Sequence, residues 1–429
     1  MSAGGQLQSI AAHALEAMRS AGFEHAQAHA SLTSLTELNF NDNEPSLLRS
    51  TEAGKLALLG IVDGRMASTE LADLSPEAVA ARVKSLFADA KSAPQDEGNA
   101  VSSGQRAAFE RGPKEANNEA LVAAVSGLLD YRQQATPKFT LAEGAAAHRY
   151  RRFHLLTTGG SEIRGGCGWY ELGMLGSARE GAKASSISYG GGFTQDLGAA
   201  PAHEHFGLGA LMHETERQVH TQLLGDKFVG DVVFQPGAVA DLVNWLVGQL
   251  SDTALIAGTS LFKAKIGEAI AAPLFTLRGR FDAPGVLPLS ADGFVARPVT
   301  VVEGGTLRTA LPTLYGSRKT GLAHVPTPGG GWEIEPGDAP VADMVAGVER
   351  GAIVGRLSMG MPASNGDFSA VIKNSFLVRG GEAGPALAET MITGNMAQVL
   401  RSIVAVSRET RDGEGWRLPW LRVAGLHFS

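Results

Sequence analysis

The stretch HETERQVH, residues 213–220, carries the residue types of a hydrolytic metal site: two imidazoles around a carboxylate. Two more histidines, His203 and His205, stand just before it. A zinc hydrolase helix of the H-E-x-x-H kind places its histidines four residues apart, so that both lie on one face a single turn apart. Here the position four after His213 is Arg217, a cation that would repel a metal. His220 comes seven residues on, roughly 10 Å along a straight helix, whereas zinc takes its ligands at about 2 Å. That pair cannot share one ion. His203, His205, His213 and Glu214 form an alternative ligand set, reached only if the preceding loop folds back. The competing reading is an amphipathic helix, because Leu208, Leu211, Met212, Thr215, Val219 and Leu223 recur at three- and four-residue steps.

Two other groups could do chemistry. Arg149, Arg151 and Arg152 could hold an acid or a phosphate; the plainer reading is a solvated strand edge guarded by cations. Cys167 is the single cysteine. It excludes intrachain disulfides and multi-cysteine metal sites, and with no base evident beside it, it reads as a small buried hydrophobe.

The elements that must position these residues follow from pattern. A chain of 429 residues has room for two or three cored domains. Its formal net charge of −7 and the lack of a basic cluster that would suggest a DNA-binding arm argue against nucleic-acid binding. The start of the chain lacks a signal-peptide layout and no apolar run is long enough to span a membrane, so a cytoplasmic protein is expected. The 54 glycines favour turns and strands over a helical bundle.

Residues 6–21 read as a helix, followed by strands with hairpin turns at EAGK and VDGR. Ser75-Pro76-Glu77 opens a second helix, with Ser as N-cap and Pro at the first helical position. The polar stretch SAPQDEGNAVSSGQ marks a boundary. A helix over 115–135 and an antiparallel meander follow. Beyond residue 228 come a short buried strand, a proline turn and a helix, then strands at roughly ten-residue spacing and a late helix over 395–406. The expected class is α+β: an N-terminal unit (1–98), a central unit (113–225) with antiparallel sheets and flanking helices, and a strand-rich barrel- or sandwich-like unit (228–429).

Five blocks in that last unit, in order, resemble the C-terminal part of the TldD/PmbA family, also called modulator of DNA gyrase or peptidase U62. They are GTSLFKAKIGEAIAAPLFTLRGR, FDAPGV, RPVTVVEGGTLRTALPTLYGSRKTGLA, NGDFSAVIKNSFLVRGGE and AETMITGNMAQVLRSIVAVS. KLALLGIVDGRMASTELADLSPEAV is the clearest matching piece upstream. The resemblance implies a subunit of a metalloprotease built from two related chains. One chain holds zinc on an H-E-x-x-x-H helix plus a late cysteine; its sister lacks those ligands. In this sequence the corresponding helix reads AVADLVNWLVGQL, with no histidine and no glutamate, and no cysteine occurs near SRETRDGEGWRLPW. The chain therefore resembles the zinc-free PmbA/TldE type, with no catalytic residue of its own and zinc expected only in a partner chain. Two departures from the family pattern are Ala283-Pro284-Gly285 after FD, where an acidic pair and glycine are usual, and HVPTPGG in place of a polar stretch.

Such a chain can wall a chamber and hold extended peptide by adding it to a strand edge. The residues expected to contact substrate are Asn365, Gly366, Asp367, Phe368 and Ser369, with Asp282 and Asn395; the plainer reading is a hairpin turn, with Asn395 capping its helix. The expected partners are a zinc-bearing homologue or a second copy, and unfolded peptide. An autonomous metallopeptidase using the His203, His205, His213 and Glu214 set, and a non-enzymatic binding protein, are the alternatives.

Overall fold

The computed structural model describes residues 3–429. In chain order its first half contains α1 (Ala3–Ser20), β1 (His25–Asn41), β2 (Glu44–Val62), β3 (Arg65–Leu71), α2 (Pro76–Ser92), β4 (Arg106–Arg111), α3 (Asn118–Ala135), β5 (Phe139–Thr157), β6 (Glu162–Glu180), β7 (Lys183–Ala184), β8 (Ser188–Thr194) and α4 (Leu208–Arg217). The second half contains β9 (Thr221–Gln222), β10 (Phe228–Phe234), α5 (Pro236–Gln249), α6 (Asp252–Ala257), β11 (Leu277–Gly279), β12 (Thr300–Glu303), β13 (Thr306–Leu307), α7 (Leu314–Thr320), β14 (Trp332–Ile334), α8 (Val341–Ala346), β15 (Arg350–Ser358), β16 (Asp367–Arg379), β17 (Glu382–Leu387), β18 (Met391–Asn395), α9 (Met396–Arg401), β19 (Ile403–Asp412) and β20 (Arg417–Phe428).

The fold is α+β. Its first sheet runs β3-β2-β1-β5-β6-β4, and β8 pairs with the far half of β6. β1 and β5 pair from Gln27↔Thr157 to Asn41↔Glu143, so one half-barrel runs unbroken across the polar stretch at 93–105. Strand alternation sorts its side chains. Ala26, Ala28 and Ala30 pack with Leu7, Ala11, Leu15 and Met18 of α1 and Val79, Val83 and Leu86 of α2. Leu38 and Phe40 pack with Leu121, Val125 and Leu128 of α3. The opposite, concave face is left for polar residues.

The second sheet contains a closed ring: β20, β10, β15, β16 and β18 each pair with the next, and β18 returns to β20. Its apolar filling includes Val232, Phe234, Ala352, Val354, Ala370, Ile392 and Val423, with Val239, Leu242 and Leu246 of α5 packed in the same core. Pro236 starts α5 as a first helical residue that needs no N–H partner.

Several expectations change. EAGK is no turn; it lies inside β2, and the chain reverses instead at Asp42-Asn43, both at positive φ. VDGR is the β2–β3 turn, with Asp63 and Gly64 at positive φ as a tight hairpin needs. The second helix starts at Pro76, with Ser75 Oγ accepting from the Ala78 N–H. The third helix begins at Asn118, not 115, because Asn117 caps it. The late helix ends at Arg401, and β19 takes up Ile403 onward in pairing with β20. Arg149, Arg151 and Arg152 lie on β5, an interior strand between β1 and β6 and not an edge. No helix among the described residues is long and apolar enough to cross a membrane.

Candidate functional site

A cavity of about 720 Å³ lies between the concave face of the half-barrel and the ring. The half-barrel contributes Glu37, Arg149 and Glu171, which share a face because Glu37 pairs with Ala147 and Ala147 with Glu171. The C-terminal half contributes Asp241 of α5, Arg356 of β15, Asn374 of β16, Arg411 and Asp412 of β19, and Trp416.

Most of these charges are committed to neighbours. Arg149 Nε donates to Glu171 Oε1 at 2.7 Å, and Trp169 Nε1 donates to the same oxygen at 2.9 Å. Glu37 accepts from Arg49. Asp412 accepts from Arg280 at 2.8 Å and from Arg417 at 2.9 Å. Two charges differ. No carboxylate lies within 4.0 Å of Arg356 among the described residues; its guanidinium sits over the Tyr189 ring at 4.9 Å. Asp241 has no cation within that distance either, and burial pushes its carboxyl up to about 6, against an opposing pull from Arg356.

One wall is backbone. Gly190, Gly191 and Gly192 of β8 line the cavity. β8 pairs only with β6, so one of its edges is spare. The Phe193 N–H donates to the Gly413 carbonyl at 3.1 Å, away from β6. By the two-residue alternation of an antiparallel strand, the N–H and C=O groups of Gly191 and Tyr189 point the same way. No hydrogen bond to those groups from the rest of the protein is present among the described residues. Consecutive glycines leave that edge without side chains to shield it.

The residues singled out from sequence lie elsewhere. Asn365, Asp367 and Asn395 satisfy one another: Asn365 Nδ2 donates to Asp367 Oδ2 at 2.7 Å, and Asn395 Nδ2 donates to Asp367 Oδ1 at 2.8 Å. These bonds hold the Asp367 carboxyl below its usual range. Asn395 Oδ1 caps α9 through the Ala397 and Gln398 N–H groups. Gly366 takes the positive φ of the turn, Phe368 is buried in the core, and Ser369 and Asp282 are exposed. None of these seven lines the cavity.

The histidine set does not converge. α4 ends at Arg217, so His220 is off the helix, where its Nε2 meets Glu180 Oε2 at 2.6 Å. Val219 is off it too, though buried, and Leu223 is exposed. His203 stacks on Tyr131 at 3.9 Å and His213 meets the same ring edge-on at 6.0 Å. His205 Nε2 is 3.0 Å from the Leu197 carbonyl. Glu214 does not line the cavity but holds two residues that do, accepting from Gln235 Nε2 at 2.9 Å and Asn374 Nδ2 at 2.7 Å. Cys167 is buried, which pushes its thiol up and makes a thiolate nucleophile costly.

Residues 228–429 match the sequence model of the PmbA/TldA metallopeptidase C-terminal domain. Its C-terminal part therefore carries a domain of the PmbA/TldA metallopeptidase family. Among curated proteins it is similar to "Metalloprotease PmbA" of Escherichia coli O157:H7, 26% identical over 208 residues, 45% of each chain. It is also similar to a "Metalloprotease" of Methanothermobacter thermautotrophicus, 24% identical over 206 residues, 43% of this chain and 44% of that one. The match thus spans about half the length of these curated relatives. Two solved structures share the fold over 98% of this chain. One, a modulator of DNA gyrase from Bacteroides thetaiotaomicron, has TM-score 0.87, 20% identity and 98% of its own length covered. TldE from Thermococcus kodakarensis has TM-score 0.82, 19% identity and 100% of its own length covered.

The match to a metallopeptidase domain raises the question whether the residues here suit a zinc ion. In the TldD/PmbA pattern the ligand helix follows the strand and proline turn that are β10 and Pro236 here, so it is α5. The α5 residues lining the cavity are Gly237, Ala240 and Asp241: one carboxylate and no imidazole. Among the described residues, no three His, Cys, Asp or Glu side chains gather as a ligand set. This donor set does not suit zinc, which takes three or four protein ligands. Sequence reading dismissed α5 for its missing His and Glu and so passed over Asp241, the one carboxylate at the expected place.

Proposed function

We propose that this chain belongs to the TldD/PmbA family as the zinc-free subunit of a two-chain cytoplasmic protease, and that it holds unfolded peptide beside a zinc-bearing homologue. The unpaired edge of β8 in the cavity carries this reading. Peptide added to a strand edge is held by main-chain hydrogen bonds, which every sequence offers, so the mode suits substrates defined only by being extended. α5 supports the division of labour: a single carboxylate there supplies no open metal position for peptide hydrolysis.

The test is reconstitution. The purified chain is mixed with a zinc-bearing TldD-type homologue and an unfolded, dye-quenched peptide. A stable complex that cleaves the peptide, when neither chain alone does so, is the expected result. Cleavage by this chain alone, with one tightly held zinc lost on His213→Ala, would overturn the reading.

A further inference from the structure

We propose that Arg356 selects peptides by a free C-terminal carboxylate; this rests on the reading that extended peptide pairs with β8. Of the three arginines in the cavity wall, Arg149 is paired with Glu171, and Arg411 lies against the Trp420 ring at 5.0 Å with Glu214 as the acid acting on it. Among the described residues, Arg411 and Arg356 both lack a carboxylate within 4.0 Å, but burial removes Arg411 from water while Arg356 reaches the start of β8. Its contacts, to Tyr189 Oη and the Ile187 carbonyl, are both at 3.5 Å, the outer limit of a hydrogen bond.

Position gives the fork its meaning. Ile187 and Tyr189 are at the start of β8, and Gly413 blocks the other end by taking the Phe193 N–H. A guest strand pairing antiparallel, the stronger arrangement, runs from the Gly413 end toward Ile187. Its last residue then arrives at Arg356, whose planar donors match a carboxylate two-by-two. Tyr189 holds the guanidinium plane from one side, so little order has to be created on binding. Asp241 shares this wall, but burial makes its carboxyl take a proton more readily than an ordinary aspartate, so it opposes an incoming anion less.

The measurement is fluorescence anisotropy with the full chain and a short, uncharged, N-terminally dye-labelled peptide. The peptide is made with a free C-terminus, with an amidated C-terminus, and amidated with Glu as last residue. The free acid is expected to bind about tenfold more tightly than the amide, the scale of one charge-assisted contact. In Arg356→Gln the free acid is expected to fall to the amide's Kd while the amide is unchanged, which also shows that the variant is folded. Equal Kd values for acid and amide in the unaltered chain overturn the assignment of Arg356 and leave edge binding standing. Binding of the Glu-ended amide as tightly as the free acid overturns selection of the terminus. Failure of all three peptides to bind overturns both this inference and the edge reading beneath it.

Discussion

Asp241 sits in an environment that opposes what its residue type would choose. A carboxylate on α5 facing a cavity, with only a distant arginine for company, is held neutral by burial up to about pH 6. The sign follows from proton counting: between the ordinary aspartate value and about 6 the folded chain binds more protons than the unfolded one, so this group's contribution falls as pH rises through that window. Asp241→Asn is therefore expected to raise Tm at pH 7.5 by a few degrees, on the order of 1 kcal/mol once screening by water in the cavity is allowed for. The gain should vanish near pH 4. Thermal melts across pH check it; a pH-independent gain would trace the effect to packing instead. Sequence could not single out this residue. An aspartate in an apolar helix is visible, but the hollow it faces is made by strands from both halves of the chain, none of them next to α5 in sequence. The Asx network at Asn365 and Asp367 was legible as local turn chemistry, because its partners lie within a few residues or on the facing strand.

At the scale of elements, β8 decides what the cavity can do. Its glycines could be counted in sequence, but the reading of them stopped at turns. What made them an exposed edge is that β8 pairs with β6 from Tyr170 to Gly176, beyond the stretch that β4 takes, and with no strand on its other side. A peptide whose backbone N–H groups are methylated at alternate positions is expected to bind about tenfold or more weakly than its parent, each lost hydrogen bond costing about 1 kcal/mol. Methylation at the intervening positions should cost little. Isothermal titration of the two methylated series separates edge pairing from side-chain recognition, since only the former depends on register. The α4 region shows the opposite lesson: its apolar period continues through Val219, yet the helix stops at Arg217 because the next turn is taken up by 3-10-like contacts of Gln218 and Val219 to Thr215 and Glu216.

At the scale of the whole molecule, the half-barrel and the ring are joined by side chains that sequence placed in different units. Leu289 packs on Phe153, Leu155 and Ile163, and the Tyr315 hydroxyl donates to Asp96 Oδ2 at 2.8 Å, with Lys319 at 3.0 Å. The α+β class and the strand-rich end were legible, because alternation and turn residues are local signals. The continuity of one sheet across residues 93–105 was not, because β1–β5 pairing joins residues separated by a hundred positions. Leu289→Ala is expected to cost about 2–3 kcal/mol, the lower part of the range for a buried leucine at a rim. Hydrogen exchange should show faster exchange on β4–β6 and in the 285–295 loop while the ring stays protected; uniform acceleration throughout would mean that the two bodies open as one.

β18 has only five residues, yet it closes the circuit between β16 and β20. A circuit offers no frayed margin from which to peel. Loss of any one member strips its neighbours on both sides at once, so this half of the chain should melt as a single event. A guest seeking backbone partners finds none within the circuit and is left with the other half, where the glycine margin waits.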